Sequence, residues 1–598
     1  MLLSPENKIA GVLAPLFALR SQQGLGIGDV GTLREFIEWA REIGFRVVQL
    51  LPINEIGGDN SPYNAISAIA IEPTTLHLVP GSPAELTQEA FDNVMANENL
   101  EALRHGPVKY DRVKKLKREL LECAFNNFQL NPIANRQTKF DQFCERESSW
   151  LKSYSLFRAL MELNGENETW DEWQLEHRDP KTADAWLGEQ PTDIRNEFSQ
   201  REKFFCYVQW IADEQWRDIR KFAEERDVAL MGDIPFGVSY YSADVFSERE
   251  IFHLDWSGGA PPEPYFKDDE FTMKWGQNWG IPVYNWAALR AQDFAWWRQR
   301  VRGVKRIFHI FRIDHVLGFY RIYAFPWRPT RNAEFLPLDW NTMLAETGGR
   351  WPQFLPRDDE QPENAEANRR EGEEYLRMVL AESGTTRVVG EDLGTVPKYV
   401  RPNLESLGIA GFKIPQWEFF HGQMTPGSHF KRLSVTTYAT HDHKPIRELW
   451  AEALDENAPT REQAREDLLK IAQFAGITPR EGLEFERDFY PSTMSALFDS
   501  NSWLAIVMIT DLLARKDRFN VPGTATASNW TRRLPKTIAQ MRASRSVRRR
   551  MKVIRELLEK TGRIPACHPE RSGVEGTRCA ILKVTRRDPS TNARDDRR

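Results

Sequence analysis

One local pattern constrains this chain more than any other: a short apolar run that ends in an acid. Val228-Ala229-Leu230-Met231-Gly232-Asp233, Ile310-Phe311-Arg312-Ile313-Asp314 and Arg387-Val388-Val389-Gly390-Glu391 all show it. Comparable runs occur at 47–53, 411–414 and 435–440, the last with Asp442 just beyond it. Charged, helix-like stretches at 32–43 and 213–225 precede two of these runs. Strands alternating with helices predict βα units, a parallel sheet and an α/β fold. The alternation fits both a doubly wound sheet and a (β/α)₈ barrel. Helical insertions are expected at about 85–210 and 244–300, and the chain after Asp442 reads as mostly helical, for example at 461–474 and 492–513.

Composition narrows the function. The chain has 598 residues, 41% hydrophobic, enough for a large core. No apolar stretch approaches the ~18 residues of a membrane span. The start carries no basic segment followed by a long apolar one, so no signal peptide is expected. Five scattered cysteines without a CxxC pair suit reduced, cytoplasmic thiols rather than a disulfide framework or a zinc site. The net charge of −6 combines an acidic body with a basic end, 541–598. An acidic body makes a poor nucleic-acid binder, because duplex affinity rests on cations against phosphate. From 563 onward the chain is basic and poor in apolar residues, and is read as a disordered tail, leaving 1–562 as the folded region.

In parallel α/β sheets, ligands bind at the carboxyl ends of the strands. Acids projected there from several strands converge on one pocket. Arg312 and Asp314 are two apart on a strand and share a face. A guanidinium beside a carboxylate keeps it ionised, as a nucleophile requires. Glu391, placed by an apolar run, suits a general acid. Asp392 competes for that role, since alternation sends the two side chains in opposite directions. His315, His441 and His443 supply hydrogen-bonding groups. None has helical metal spacing and no HExxH occurs, so no metal and no cofactor is expected. Paired carboxylates with 20 Trp, 34 Phe and 14 Tyr fit glycoside chemistry, in which flat sugar faces pack on aromatic rings.

The chain resembles the amylomaltases, the 4-α-glucanotransferases of the α-amylase clan. The resemblance rests on Gly24-Leu25-Gly26-Ile27-Gly28-Asp29, Ser61-Pro62-Tyr63-Asn64, Gly232-Asp233-Ile234-Pro235, Gly259-Ala260-Pro261-Pro262 and Gly276-Gln277-Asn278-Trp279-Gly280. It continues through Phe311-Arg312-Ile313-Asp314-His315, Gly390-Glu391-Asp392-Leu393-Gly394, Thr440-His441-Asp442 and Phe519-Asn520-Val521-Pro522-Gly523. It implies a (β/α)₈ barrel with helical insertions and no C-terminal all-β domain. It further implies Asp314 as nucleophile, Glu391 as acid/base and Asp442 as transition-state stabiliser. Asp233, Arg312, His315 and His441 match the surrounding polar shell, and Tyr63, Gln277 and Trp279 match substrate-binding positions. The implied partners are α-1,4-glucans and maltooligosaccharides. Two positions depart from the family pattern: Glu263 stands where Asp is usual, and His443 where Asn is frequent.

The same barrel serves hydrolases, and the difference lies in what attacks the glycosyl-enzyme. A transferase must bind an acceptor sugar and exclude water. The segment 258–284, with Trp275, Trp279 and Tyr284, is expected to form an acceptor-side wall.

Overall fold

The computed structural model describes residues 3–131, 133–262, 269–522 and 526–564. Eight short parallel strands form its centre. They are β1 (Ile9–Leu13), β2 (Val47–Gln49), β3 (Ala229–Ile234), β4 (Ile310–Ile313), β5 (Arg387–Gly390), β6 (Gly411–Lys413), β7 (Ser434–Thr436) and β8 (Leu504–Met508). Each strand pairs with its neighbour in chain order, and β8 returns to pair with β1. A parallel bridge between Val389 and Ala410 joins β5 to β6 and closes the ring. The doubly wound alternative is thereby excluded, because an open sheet would leave two unpaired edges.

Two barrel strands escape the sequence pattern. β1 was not anticipated, and β8 lies inside 492–513, which reads as one helix. That segment holds a helix at Tyr490–Asp499, then Leu504-Ala505-Ile506-Val507-Met508 as a strand, then a short helix at Ile509–Leu512. A continuous apolar run carries no period that separates a buried strand from a buried helix. The helix at Arg461–Phe474 matches its expectation.

Local chemistry sets the first connecting helix, Val30–Ile43. The Asp29 side chain caps its start by accepting from the Thr32 N–H, and Gly44 ends it with φ 115°. Leu33, Phe36, Ile37, Ala40 and Ile43 form its buried face, at the three- and four-residue spacing of a helix packed on a sheet.

The segment at about 85–210 is helical and runs into a 34-residue helix, Thr192–Glu225, that feeds β3. The second, at 244–300, is mixed, with short helices at Ala243–Ser247, Glu270–Trp275 and Trp286–Ala291 beside strands. It contains antiparallel strands Phe252–Ala260 and Gln277–Tyr284, which join Ile322–Phe325 and Gln353–Leu355 in a four-stranded sheet. Gly258-Gly259 permits this pairing: a Cβ on Gly259 would lie 1.9 Å from the Gln277 carbonyl oxygen. One end of the sheet packs into the barrel core through Phe252, Tyr284 and Ile322, while Trp275, Phe325, Trp327, Phe335 and Met343 form a separate apolar cluster.

The boundary expected at 563 moves. Arg563 is buried and donates to the carbonyl oxygens of Phe498 (2.6 Å), Ile9 (2.7 Å) and Ser500 (3.0 Å), and Ile564 is buried beside it. Residues 565–598, where the basic tail was expected, lie outside the described residues, as does Glu263. No helix among the described residues is long and apolar enough to cross a membrane.

Candidate active site

Register brings the acids together. Asp233 on β3 pairs with Arg312 on β4. The ladder continues past the strand ends: Asp314 N–H donates to the Ile234 carbonyl and Glu391 N–H to the Ile313 carbonyl, both at 2.9 Å. Asp233, Asp314 and Glu391 thus stand at the carboxyl ends of three adjacent strands.

Arg312 is the hub. It is buried, and its Nη1 donates to both Asp233 oxygens, at 2.8 and 2.7 Å. Its Nη2 donates to Asp314 Oδ1 at 2.5 Å. One guanidinium therefore fixes two carboxylates with charge-assisted bonds. Burial alone would weaken its hold on its proton, but Asp233 and Asp314 reverse that and keep it charged.

From Asp233 the network runs across the barrel mouth. Tyr63 donates its hydroxyl to Asp233 Oδ2 at 2.7 Å, and its ring stacks on His441 with centroids 4.9 Å apart. His441 Nε2 lies 3.1 Å from Asp442 Oδ2. Asn520 donates to Asp442 Oδ1 at 2.6 Å, and Arg518 to the Asp442 backbone carbonyl at 2.8 Å. Burial pushes the Asp442 carboxyl upward, but His441, Asn520 and His443 outweigh it and hold it well below the usual range. Burial likewise lowers His441, and Asp442 more than restores it. The two behave as an ion pair.

Glu391 occupies a different environment. Its Oε2 accepts from the His315 backbone N–H (2.9 Å) and its Oε1 from the Leu393 N–H (2.8 Å). His315 has φ 48°, a left-handed conformation that turns its backbone beyond β4. Burial pushes Glu391 up to about 7; Asp314 adds to the rise, while Arg312 and the two N–H donors resist it. The two adjacent acids, between which the sequence left the choice open, lie in different surroundings. Asp392 is turned away, accepting from Phe412 N–H at 2.6 Å and from Arg401 Nε at 2.9 Å, while Glu391 lines a cavity of about 160 Å³.

Gln277, Trp279, His315, Arg321, Tyr323 and Phe354 line the same cavity. Trp279 is 39% exposed, and its Nε1 donates to Gln277 Oε1 at 3.2 Å. Burial lowers His315 to about 4 against the pull of Asp314, so its ring is neutral near pH 7. Burial takes His443 to about 4 also, with Asp442 opposing; its ring meets Trp417 edge-on at 5.0 Å. Of the three rings expected in the acceptor wall, only Trp279 lines the cavity that contains Glu391. Trp275 belongs to the separate apolar cluster, and Tyr284 is buried in the barrel core.

All ten residues singled out from sequence thus fall in one connected region at the barrel mouth. Asn520 and Arg518 were not singled out. Asn520 carried a signal, its place in the Phe519–Gly523 stretch, whereas Arg518 carried none. Among the described residues no group of three or more His, Cys, Asp or Glu is placed to hold a metal ion.

A family model described as 4-alpha-glucanotransferase matches residues 14–539. The chain is 30% identical over 544 residues to a 4-alpha-glucanotransferase of Chlamydia caviae, covering 89% of this chain and 91% of that one. It is 28% identical over 547 residues to a 4-alpha-glucanotransferase of Aquifex aeolicus, covering 89% and 96%. Its fold is similar to that of the amylomaltase from Streptococcus agalactiae in complex with acarbose, with TM-score 0.70, 23% identity and coverage of 93% and 100%. It is also similar to the amylomaltase from Corynebacterium glutamicum, with TM-score 0.72, 21% identity and coverage of 92% and 75%.

Proposed function

From the premise that this chain belongs to the 4-alpha-glucanotransferase family, and is therefore a glycosyl-transferring enzyme, we propose that Asp314, Glu391 and Asp442 carry its reaction. Asp314 attacks the anomeric carbon of the donor glucan and forms a glycosyl ester. Glu391 protonates the departing glycosidic oxygen. The shortened glucan leaves, and an acceptor enters. Glu391 then removes the proton from the acceptor 4-hydroxyl, which attacks the ester and restores Asp314. Two displacements at one carbon retain its configuration.

The observation that carries this reading is the Arg312 hub beside Glu391. Arg312 orients Asp314 through one nitrogen while its other grips Asp233. On the next strand, Glu391 sits near 7, so it can give a proton in the first half and take one in the second. Asp442, kept ionised by His441 and Asn520, offers negative charge to the oxocarbenium-like transition state. Tyr63, Asp233 and His441 bind the glucosyl unit under attack, and Gln277, Trp279 and His315 bind on the side of the acid/base. Arg312 and the acids supply the charges, so the scheme uses no metal ion or cofactor.

The substrates are α-1,4-glucans and maltooligosaccharides, used in starch, glycogen or maltose metabolism. We place the enzyme in the cytoplasm, a location that suits the free thiols of Cys123, Cys144 and Cys206.

The test is the product pattern from maltotriose. Transfer makes one α-1,4 bond for each one broken. Glucose and a ladder of longer maltooligosaccharides should form while reducing ends stay constant. Reducing ends that climb, with nothing longer than the substrate, would make hydrolysis the true reaction.

A further inference from the structure

Arg321 stands apart from the residues that match the family stretches. It lies between the turn after β4 and the strand Ile322–Phe325, is 9% exposed, and lines the cavity that contains Glu391 and Trp279. Its guanidinium is held from two sides. The Phe354 ring lies beneath it, 3.4 Å from guanidinium carbon to centroid. Asp359 Oδ2 lies 2.5 Å from its Nε. Asp359 is itself fixed, its Oδ1 accepting from Tyr399 Oη at 3.0 Å and Asn368 Nδ2 at 2.9 Å.

This clamp leaves the guanidinium unsatisfied. Nη1 is buried without a hydrogen-bond partner, while Nε has the Asp359 carboxylate against it as an ion pair. A buried N–H without a partner is costly, and proteins pair nearly all of them. An arginine immobilised in a cavity beside an acid/base, with a donor unused, is arranged for a partner that arrives from outside.

The cavity's composition identifies that partner's position. Its lining includes Glu391 and His315, but not Asp314, Asp233 or Asp442. The general acid touches the oxygen of the leaving sugar, and later that of the incoming one. A cavity that holds the acid/base without the nucleophile therefore lies on the leaving and accepting side. Asp359 already neutralises the guanidinium charge, so the fitting ligand is a neutral hydroxyl rather than an anion.

We propose that Arg321 is an acceptor-specificity residue, donating to a hydroxyl of the acceptor glucosyl unit that Trp279 packs against. The proposal rests on the transferase reading and adds a residue to it. The Arg321 donor stays unpaired when water attacks in place of a sugar, so Arg321 favours transfer over hydrolysis.

The experiment fixes a saturating amylose donor and titrates glucose or maltose as acceptor, with hydrolysis measured in parallel. Arg321→Met should raise the acceptor KM about tenfold or more, the scale of a lost charge-assisted hydrogen bond, and lower the transfer-to-hydrolysis ratio at fixed acceptor by a similar factor, since both reactions share the step that forms the glycosyl-enzyme. Arg321→Lys should recover part of the loss, since it retains a donor. Asp359→Asn keeps the arginine but loosens its seat, and should shift the acceptor KM the same way by less. An Arg321→Met protein with wild-type melting and unchanged acceptor KM would overturn the proposal. So would a parallel fall of transfer and hydrolysis, which marks a merely structural residue. A wild-type protein that transfers nothing would instead overturn the transferase reading.

Discussion

The indole of Trp279 meets the His315 imidazole edge to face, with ring centroids 4.8 Å apart and planes at 85°. His315 in turn holds Glu391 through its backbone N–H. In the mechanism we propose, the aromatic surface that receives the acceptor is thus one residue removed from the group that activates it. Trp279→Ala should remove that surface and leave the acids in place. Transfer should fall more than hydrolysis, shifting maltotriose products toward a net rise in reducing ends. Equal losses in both rates would mean that the ring serves donor binding.

Glu391 must be protonated in the free enzyme to act as the acid. Burial brings it to about 7. The acid form is therefore full below that pH and lost above it, and kcat/KM should fall as pH rises through about 7. Glu391→Gln cannot release or regain a proton. It should lose at least about a hundredfold in rate and show no alkaline limb. A profile for maltotriose that stays flat through neutrality would assign the acid role elsewhere.

Asp314→Asn preserves size but cannot form a glycosyl ester. Turnover should vanish while binding of maltoheptaose, followed by calorimetry, survives. The Arg312 Nη2 that grips Asp314 would then face an amide, so binding should weaken modestly. Transfer at the wild-type rate would refute the nucleophile assignment.

A chain ending at Ile564 should melt several degrees above one ending at Gly562. The shorter chain lacks Arg563, whose hydrogen bonds tie β1 and the segment before β8 to the end of the folded region. Loss of such buried charged bonds costs several kcal/mol. Arg563→Ala should reproduce most of the drop in scanning calorimetry. Equal melting temperatures would show that those carbonyls find other donors.

The site was more legible in the sequence than the sheet that surrounds it. Asp233, Asp314 and Glu391 each follow an apolar run, and strand geometry carries such residues to the same end of a barrel. That argument is local and needs no tertiary information. β8 is apolar throughout, so nothing in Leu504–Met508 tells strand from helix. Asn520 and Asp442 are 78 residues apart, and only the closed barrel sets them side by side. The hairpin 252–284 was misread because its strands are interrupted by register shifts between Gly258 and Gly259 and between His253 and Ser257, which break the two-residue alternation that marks a strand. That Asp392 is held by Arg401 is something no pattern in the strand foretells.

The sheet bearing Trp279 is anchored in the barrel at one end and stabilised by its own cluster, Trp275, Phe325, Trp327, Phe335 and Met343, at the other. In the proposed mechanism, bond cleavage and acceptor choice therefore draw on different packing. Volume-conserving changes in the distal cluster reach Trp279 and Gln277 without disturbing Arg312 and its acids. Under the proposed roles, substitutions in the sheet would change which sugars are extended while leaving the packing around Arg312 as it is.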